Sequence, residues 1–252
     1  ELVRHNGVLL HPLGFSLEGY KSVLENRSII TGYINTLINL FGGTTLNIIL
    51  TLLAAYAVSR KKFLLKKPVT VMIIFTMFFN SGIIPRFLVV RDLGLYDNRL
   101  AMILPTAINV FNLVIMKTAI EQLPDSLEEA AVIEGANDFD ILFKIVVPLI
   151  KSTIAVLVLY YGVAHWNQWY QALMYIQDRD KFPLQLILRE ILIGNSVESM
   201  AAGGVDSSGE TAVIGEVIKY ATIVVSTVPI LAIYPLLQKH FVKGVMVGAV
   251  KG

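Results

Sequence analysis

The sequence predicts an all-α, polytopic bundle of membrane-spanning helices, and three observations carry that prediction. Of its 252 residues 55% are hydrophobic and only 16% charged, against about 25% charge in an ordinary soluble domain. Mean hydropathy is +0.65. Charge-free runs recur that approach or exceed the roughly 20 residues a helix needs to cross about 30 Å of hydrocarbon. None of these runs alternates strictly, so they read as helices rather than as strands of a closed barrel. Several functions are excluded at once. There is no cysteine, hence no disulfide, thiolate zinc site or thiol catalysis, and the four histidines (His5, His11, His165, His240) form no HExxH pair. A net charge of +2 gives no reason to expect nucleic acid.

Residues 1–28, with Pro12, Gly14 and Gly19, read as an extracytoplasmic segment without the basic start and short apolar run of a signal peptide. Glu1 is not a methionine, so a preceding segment is expected. Residues 29–252 form one transmembrane domain with five expected spans, at about 30–59, 68–90, 100–117, 149–172 and 217–238. The first lies within Ser28–Ser59, which carries no charge. The second is charge-free from Pro68 to Pro85 and stays apolar to Val90. The third is short, and Lys117 can snorkel at its end. The fourth is uncharged apart from His165, and the fifth lies between Lys219 and Lys239. Five spans put the termini on opposite sides. The stretch Arg60 to Lys67 holds Arg60, Lys61, Lys62, Lys66 and Lys67, which marks it as cytoplasmic. That leaves residues 117–151 and the C-terminus inside, and residues 86–99 and 178–219 outside. The whole chain carries 11 Lys/Arg inside and 10 outside on this topology, so one compact loop sets the orientation.

The most informative stretch, residues 121–148, joins the third and fourth spans. Asp125 or Ser126 can cap a helix whose first turn carries Glu128 and Glu129, where the helix dipole favours acid. Ala130, Ala131 and Ile133 give it a small, partly apolar face. Gly135 breaks this helix, Asn137 or Asp138 can cap a second one running to Val147, and Pro148 opens the next span, where a missing N–H costs little. Two short amphipathic helices at the cytoplasmic surface suit a groove on another protein.

Glu129-Ala130-Ala131, Gly135, Ile145 and Pro148 fall at the spacing of the EAA loop of ABC importer permeases, with Val147 where that pattern has leucine. Together with Glu134-Gly135-Ala136 and the tail from Gln238 to Gly252, the chain resembles the carbohydrate-uptake group of these binding-protein-dependent permeases, on the side of the maltose-type G subunit and the LplC-like proteins. The resemblance covers essentially the whole chain. It implies the fold of a type I importer permease, with six spans of which the first would precede Glu1. It assigns ATPase coupling to Glu128, Glu129, Ala130, Ala131, Gly135, Ala136, Phe139, Ile145 and Pro148. It also implies partners: a second homologous permease, two cytoplasmic ATPase subunits, an extracytoplasmic sugar-binding protein and membrane lipid. No cofactor is expected on this chain. It has no GxxxxGK[ST] phosphate loop, so ATP and Mg belong to the partner ATPase. The implied location is the bacterial plasma membrane, with the C-terminus in the cytoplasm, and the implied cargo is an oligosaccharide.

Other signals admit two readings. Asn35, Asn39 and Asn47 in the first span, and Asn109 and Asn112 in the third, share helix faces. They either line a path for a hydroxyl-rich solute or hydrogen-bond between helices. Trp166 and Asn167 either meet sugar or pack, whereas Trp169 and Tyr170 read as an interfacial aromatic belt. His165 reads as a hydrogen-bonded core residue. The loop 178–216, with Gly203-Gly204-Val205-Asp206-Ser207-Ser208-Gly209 at its centre, is either a linker or, by resemblance, a contact for the binding protein. The tail 239–252 has glycines at 244, 248 and 252, which make a poor isolated helix; by resemblance it enters the seam between the ATPases. A membrane-embedded enzyme, or a secondary transporter of polar solutes, is the alternative reading. Either needs ionisable groups at membrane depth, and the spans hold almost none.

Overall fold

The computed structural model describes residues 18–61, 63–79, 81–201 and 219–232, and all regular structure among them is helical. In chain order the helices are α1 (Glu18–Glu25), α2 (Arg27–Ser59), α3 (Lys66–Phe78) and α4 (Ile83–Asp92). Next come α5 (Leu100–Thr106), α6 (Val110–Glu121), α7 (Asp125–Ile133), α8 (Asp138–Leu149) and α9 (Lys151–Trp166). The last three are α10 (Tyr170–Tyr175), α11 (Leu184–Ala201) and α12 (Lys219–Ala232).

The axis of the fold is α2. Asn26 starts it, its side-chain oxygen accepting the N–H of Ser28 at 2.9 Å and of Ile29 at 3.4 Å. The helix is inside-out by the standards of a soluble protein. Its buried stripe is Gly32, Asn35, Thr36, Asn39, Gly43, Asn47, Thr51 and Ala55, while Ile30, Ile34, Ile38, Phe41, Ile49 and Leu53 are exposed. In lipid there is no hydrophobic gain from burying leucine, so small and polar residues hold helices together. Along this stripe pack α6, α9 and α11. One core at the C-terminal end of α2 joins Leu52, Ala55 and Tyr56 to Met116, Ile120, Ile141, Leu142 and Leu157. Another joins Ile29 to Trp166, Leu184, Ile187 and Ala221.

Of the described helices, α2 alone is long and apolar enough to cross a bilayer, and up to four spans exist if each bent pair counts as one. The helices over 68–90 and 100–117 are bent. The first is α3 and α4, bent by 115° at a break that ends on Gly82 with φ +81°. The second is α5 and α6, bent by 52° after the 3-10 turn Leu104–Thr106, which contains Pro105. Helix α9 leaves α8 at 83° where the fourth stretch begins, and it ends at Trp166. Within α8, residues Ile141–Val146 form a π-turn just ahead of Pro148, a common accommodation where an N–H is missing from the ladder. The region 178–216 is not all loop, because α11 occupies much of it and packs on α2. Residues 1–17, the segment Gly203–Gly209, and 233–252 with the expected tail lie outside the described residues.

Broken helices at membrane depth must find partners for the freed backbone groups. Here other helices supply them. Asn47 donates to the Thr106 carbonyl at 2.8 Å, and the Tyr161 hydroxyl accepts the Asn109 N–H at 3.0 Å while bonding Thr51 at 2.7 Å. Gln168 donates to the Met102 carbonyl. At the start of α11, Thr36 accepts the Leu184 N–H at 2.9 Å. Beneath it, Asn35 donates to the carbonyls of Asp180 at 2.7 Å and Phe182 at 2.9 Å, and accepts from Arg99 at 2.6 Å.

Asp97 fastens the α4–α5 connection to the segment after α10. It has φ +55°, a conformation Asp tolerates better than most residues. Its carboxylate accepts the N–H of Asp178 at 3.0 Å and of Gln177 at 3.1 Å, and faces Lys181 at 3.2 Å. The Asp178 N–H foremost, then the Gln177 N–H and the Lys181 ammonium, hold this carboxyl below the usual carboxylate range. A depressed folded-state value stabilises the fold above the unfolded value, and the gain is lost as pH falls through the folded value. Asp97→Asn is therefore expected to lower the unfolding temperature at pH 7. The gap from wild type should close as pH falls below the ordinary carboxylate range. A gap that stays constant down to that pH would show that charge at Asp97 is irrelevant.

Candidate functional site

The residues 121–148 fold into the two helices expected of them. Helix α7 begins after Pro124, which offers no side-chain cap; Asp125 and Ser126, the two caps expected, are instead its first two residues, and Asp125 pairs with Lys61. The helix ends in a Schellman motif. The Ala136 N–H reaches the Ala131 carbonyl at 3.0 Å, the Gly135 N–H reaches Val132 at 3.0 Å, and Gly135 takes φ +82°. A side chain at 135 would meet open space but a strained backbone. Asn137 then caps α8, its oxygen accepting the Asp140 N–H at 2.9 Å.

One face of this hairpin is fixed to the bundle. Ala131, Ile141, Leu142 and Val146 are buried against α2 and α6, with Ala136 and Ile145 partly buried beside them. A row of ion pairs runs along the seam. Arg60, at the C-terminus of α2, pairs with Glu128 and, at 3.4 Å, with Asp138, while its guanidinium lies 4.7 Å from the Tyr56 ring centroid. Lys66 pairs with Glu121 at 2.7 Å and donates to the Ser59 carbonyl at 2.8 Å, and Lys117 pairs with Glu121 at 2.8 Å. The opposite face is open. Glu129, Ala130, Gly135 and Pro148 are exposed, as are Ile133 and Phe139, at 87% and 68%. Glu129 has no ion pair among the described residues. The adjacent glutamates thus divide, Glu128 inward to Arg60 and Glu129 outward. In the sequence Arg60, Lys61 and Lys66 carried only a topological signal. Their role as clamp cations was foreshadowed only by the opposite charges of Asp125, Glu128 and Asp138.

The polar residues of the spans are not gathered into one lining. Asn35 and Asn47 donate to backbone carbonyls of other segments. Asn39 is buried and donates to the Met102 sulfur at 3.5 Å, leaving its oxygen without a partner. Asn109 caps α6, accepting the Asn112 N–H at 3.1 Å, and Asn112 is buried. Trp166 is buried edge-on to Tyr33, its indole nitrogen unpartnered. Asn167 is exposed and donates to Val163. His165 is buried, with Nδ1 3.2 Å from the Gln168 oxygen and Nε2 3.3 Å from the Asn47 oxygen. Among the described residues no cluster of His, Asp or Glu is suited to a metal ion.

A family model described as binding-protein-dependent transport system inner membrane component matches residues 47–247. The chain belongs to this family. It is a transport permease and not itself a catalytic ATPase. The permease is 42% identical to the polygalacturonan/rhamnogalacturonan transport system permease protein YtcP of Bacillus subtilis strain 168, over 97% of this chain and 85% of that one. It is 39% identical to Protein LplC of the same organism, over 96% and 81%. Among solved structures it is similar to a chain of a bacterial ABC transporter involved in the import of the acidic polysaccharide alginate. There the TM-score is 0.84 and the identity 33%, over 95% of this permease and 84% of that chain.

Proposed function

We propose that this permease component of an ABC-type carbohydrate importer forms one half of the path for an acidic oligosaccharide, and that α7 and α8 are its coupling element. The observation that carries the reading is the two-sided hairpin at the inner end of α2, clamped on one face and open on the other. The open face, with Glu129, Ala130, Ile133 and Phe139, would seat in a groove on a cytoplasmic ATPase subunit that holds ATP and Mg. Closure of two such ATPases would then move the hairpin, and the clamp would pass that motion to α2. The remaining partners are a second homologous permease and an extracytoplasmic sugar-binding protein. The reading keeps five spans in this chain, in the bacterial plasma membrane, with residues 117–151 and the C-terminus cytoplasmic. The acidic cargo is supported by the substrates named for the relative at 42% identity and for the alginate transporter. In the path itself, the internal bonding of Asn35 and Asn47 favours Asn39, Asn109, Asn112, Trp166 and Asn167 as the remaining candidates.

The test is coupling. Gly135→Pro forces a φ near −65° where +82° is required, and Glu129→Lys reverses an exposed charge without breaking an internal ion pair. Both are expected to lower uptake by about tenfold or more, and to lower sugar-stimulated ATP hydrolysis with it, while the permease still reaches the membrane in normal amount. Wild-type uptake by both variants would remove the coupling role.

A further inference from the structure

Near the far end of the bundle from the coupling element, α11, α12 and Trp169 enclose a cleft of about 500 Å³, within the usual range of small-molecule sites, about 300–1,000 Å³. Most of its wall is apolar, from Leu188 and its neighbours. Its polar groups are Gln185, Arg189, Thr222 and Ser226. Resting on the proposal that the cargo is acidic, we infer that this cleft is a subsite for one uronic acid residue, with Arg189 reading the carboxylate.

Arg189 lies with its guanidinium carbon 5.1 Å from the centroid of the Trp169 ring. Among the described residues no carboxylate pairs with it. An aromatic face holds a guanidinium in place without using its N–H edge. That edge is a planar fork matched to a carboxylate. A second observation points to a ligand independently. Thr222 is 1% exposed, lines the cleft, and its hydroxyl has no hydrogen-bond partner. A buried hydroxyl left unpaired costs stability, and a turn of the Thr222 side chain toward the cleft would let a sugar hydroxyl satisfy it. The apolar wall suits the C–H face of a pyranose ring, so cation, hydroxyl and apolar wall together match a uronate better than a neutral hexose. Trp169, expected only as part of an interfacial belt, therefore has a second role as the platform that orients Arg189.

The experiment uses the assembled importer in proteoliposomes, with its binding protein, and trigalacturonate as the probe. Arg189→Gln is expected to raise the KM for uptake by about tenfold, the scale of one charge-assisted hydrogen bond. Arg189→Lys, which keeps the charge, should lose less, and Thr222→Val should raise KM by a smaller factor. In the wild-type complex, trigalacturonate should slow modification of Arg189 by phenylglyoxal, read by mass spectrometry, and galactotriose should not. This last measurement stands even if Arg189→Gln fails to assemble. Uptake of trigalacturonate by wild type with an unchanged KM in Arg189→Gln, or with no protection of Arg189, overturns the subsite and leaves the acidic cargo standing. Import of neutral oligosaccharides alone by wild type overturns the acidic cargo and the subsite with it.

Discussion

Gly43→Ala is expected to cost about 1–3 kcal/mol of stability, a large loss for the smallest possible side-chain addition. A Cβ at 43 would stand 2.4 Å from Nε2 of His165, 2.5 Å from Cε1 and 3.0 Å from Cδ2. The imidazole sits on a short stem, and its single N–H donates to one of two amide oxygens, so the ring has little room to yield. Its nitrogens face the side-chain oxygens of Gln168 and Asn47. Those amides are oriented in turn by donating to the carbonyls of Met102 and Thr106. Displacing the ring therefore disturbs the two carbonyls that close the broken α5, at a depth where water does not replace a lost bond. The measurement is thermal unfolding of the detergent-purified permease. His165→Ala removes the obstacle, so Gly43→Ala with His165→Ala should be less destabilised than the sum of the single variants. Strict additivity would show that the close approach is not the cause.

What the sequence allows to be read, and what it hides, follows from where each determinant lies. The length of α2 is local information, because an uncharged run flanked by Arg27 and Arg60 states its own extent. The hairpin of α7 and α8 is local as well, since a glycine at the helix end and Asn137 at the next cap fix both boundaries. The cap of α7 was expected at Asp125 or Ser126, yet both lie inside the helix, and Asp125 has a competing partner in Lys61, distant in sequence. The bends of the second and third stretches were missed for a related reason. Hydropathy averages over a break, and the groups that make a break tolerable, such as Asn47 for Thr106 and Tyr161 for Asn109, sit on other helices. Helix α11 was passed over because a search for long uncharged runs discards Arg189 and Glu190, although Leu184, Ile187, Leu188 and Ile191 already carry helical spacing. The Asn stripe of α2 was seen, but either of its readings fits a polar face. The asparagines' partners, which favour helix-to-helix bonding for Asn35 and Asn47, are visible only in three dimensions.

Arg60→Glu is expected to reduce transport by more than about tenfold and to raise the ATP hydrolysed per sugar imported. The arginine side chain is 17% exposed and that of Glu128 36%, so this pair is shielded more than an ordinary surface ion pair and is correspondingly stronger. The substitution removes the cation that Glu128 and Asp138 share, sets a third carboxylate beside them, and strips the charge from above the Tyr56 ring. The apolar contacts of Ala131, Ile141 and Leu142 remain, so the hairpin should stay folded yet swing against α2. A lever that moves on its hinge wastes the ATPase stroke. Glu128→Arg alone should fail in the same way, by placing two cations together. The double variant, Arg60→Glu with Glu128→Arg, restores opposite charges across the seam and should recover part of the transport. Full recovery is not expected, because Asp138 would then face a carboxylate. Uptake and ATP hydrolysis measured on the same reconstituted complexes decide the matter. If the double variant transports no better than either single one, the ion pair is not what joins the hairpin to α2, and the buried apolar face must carry the motion alone.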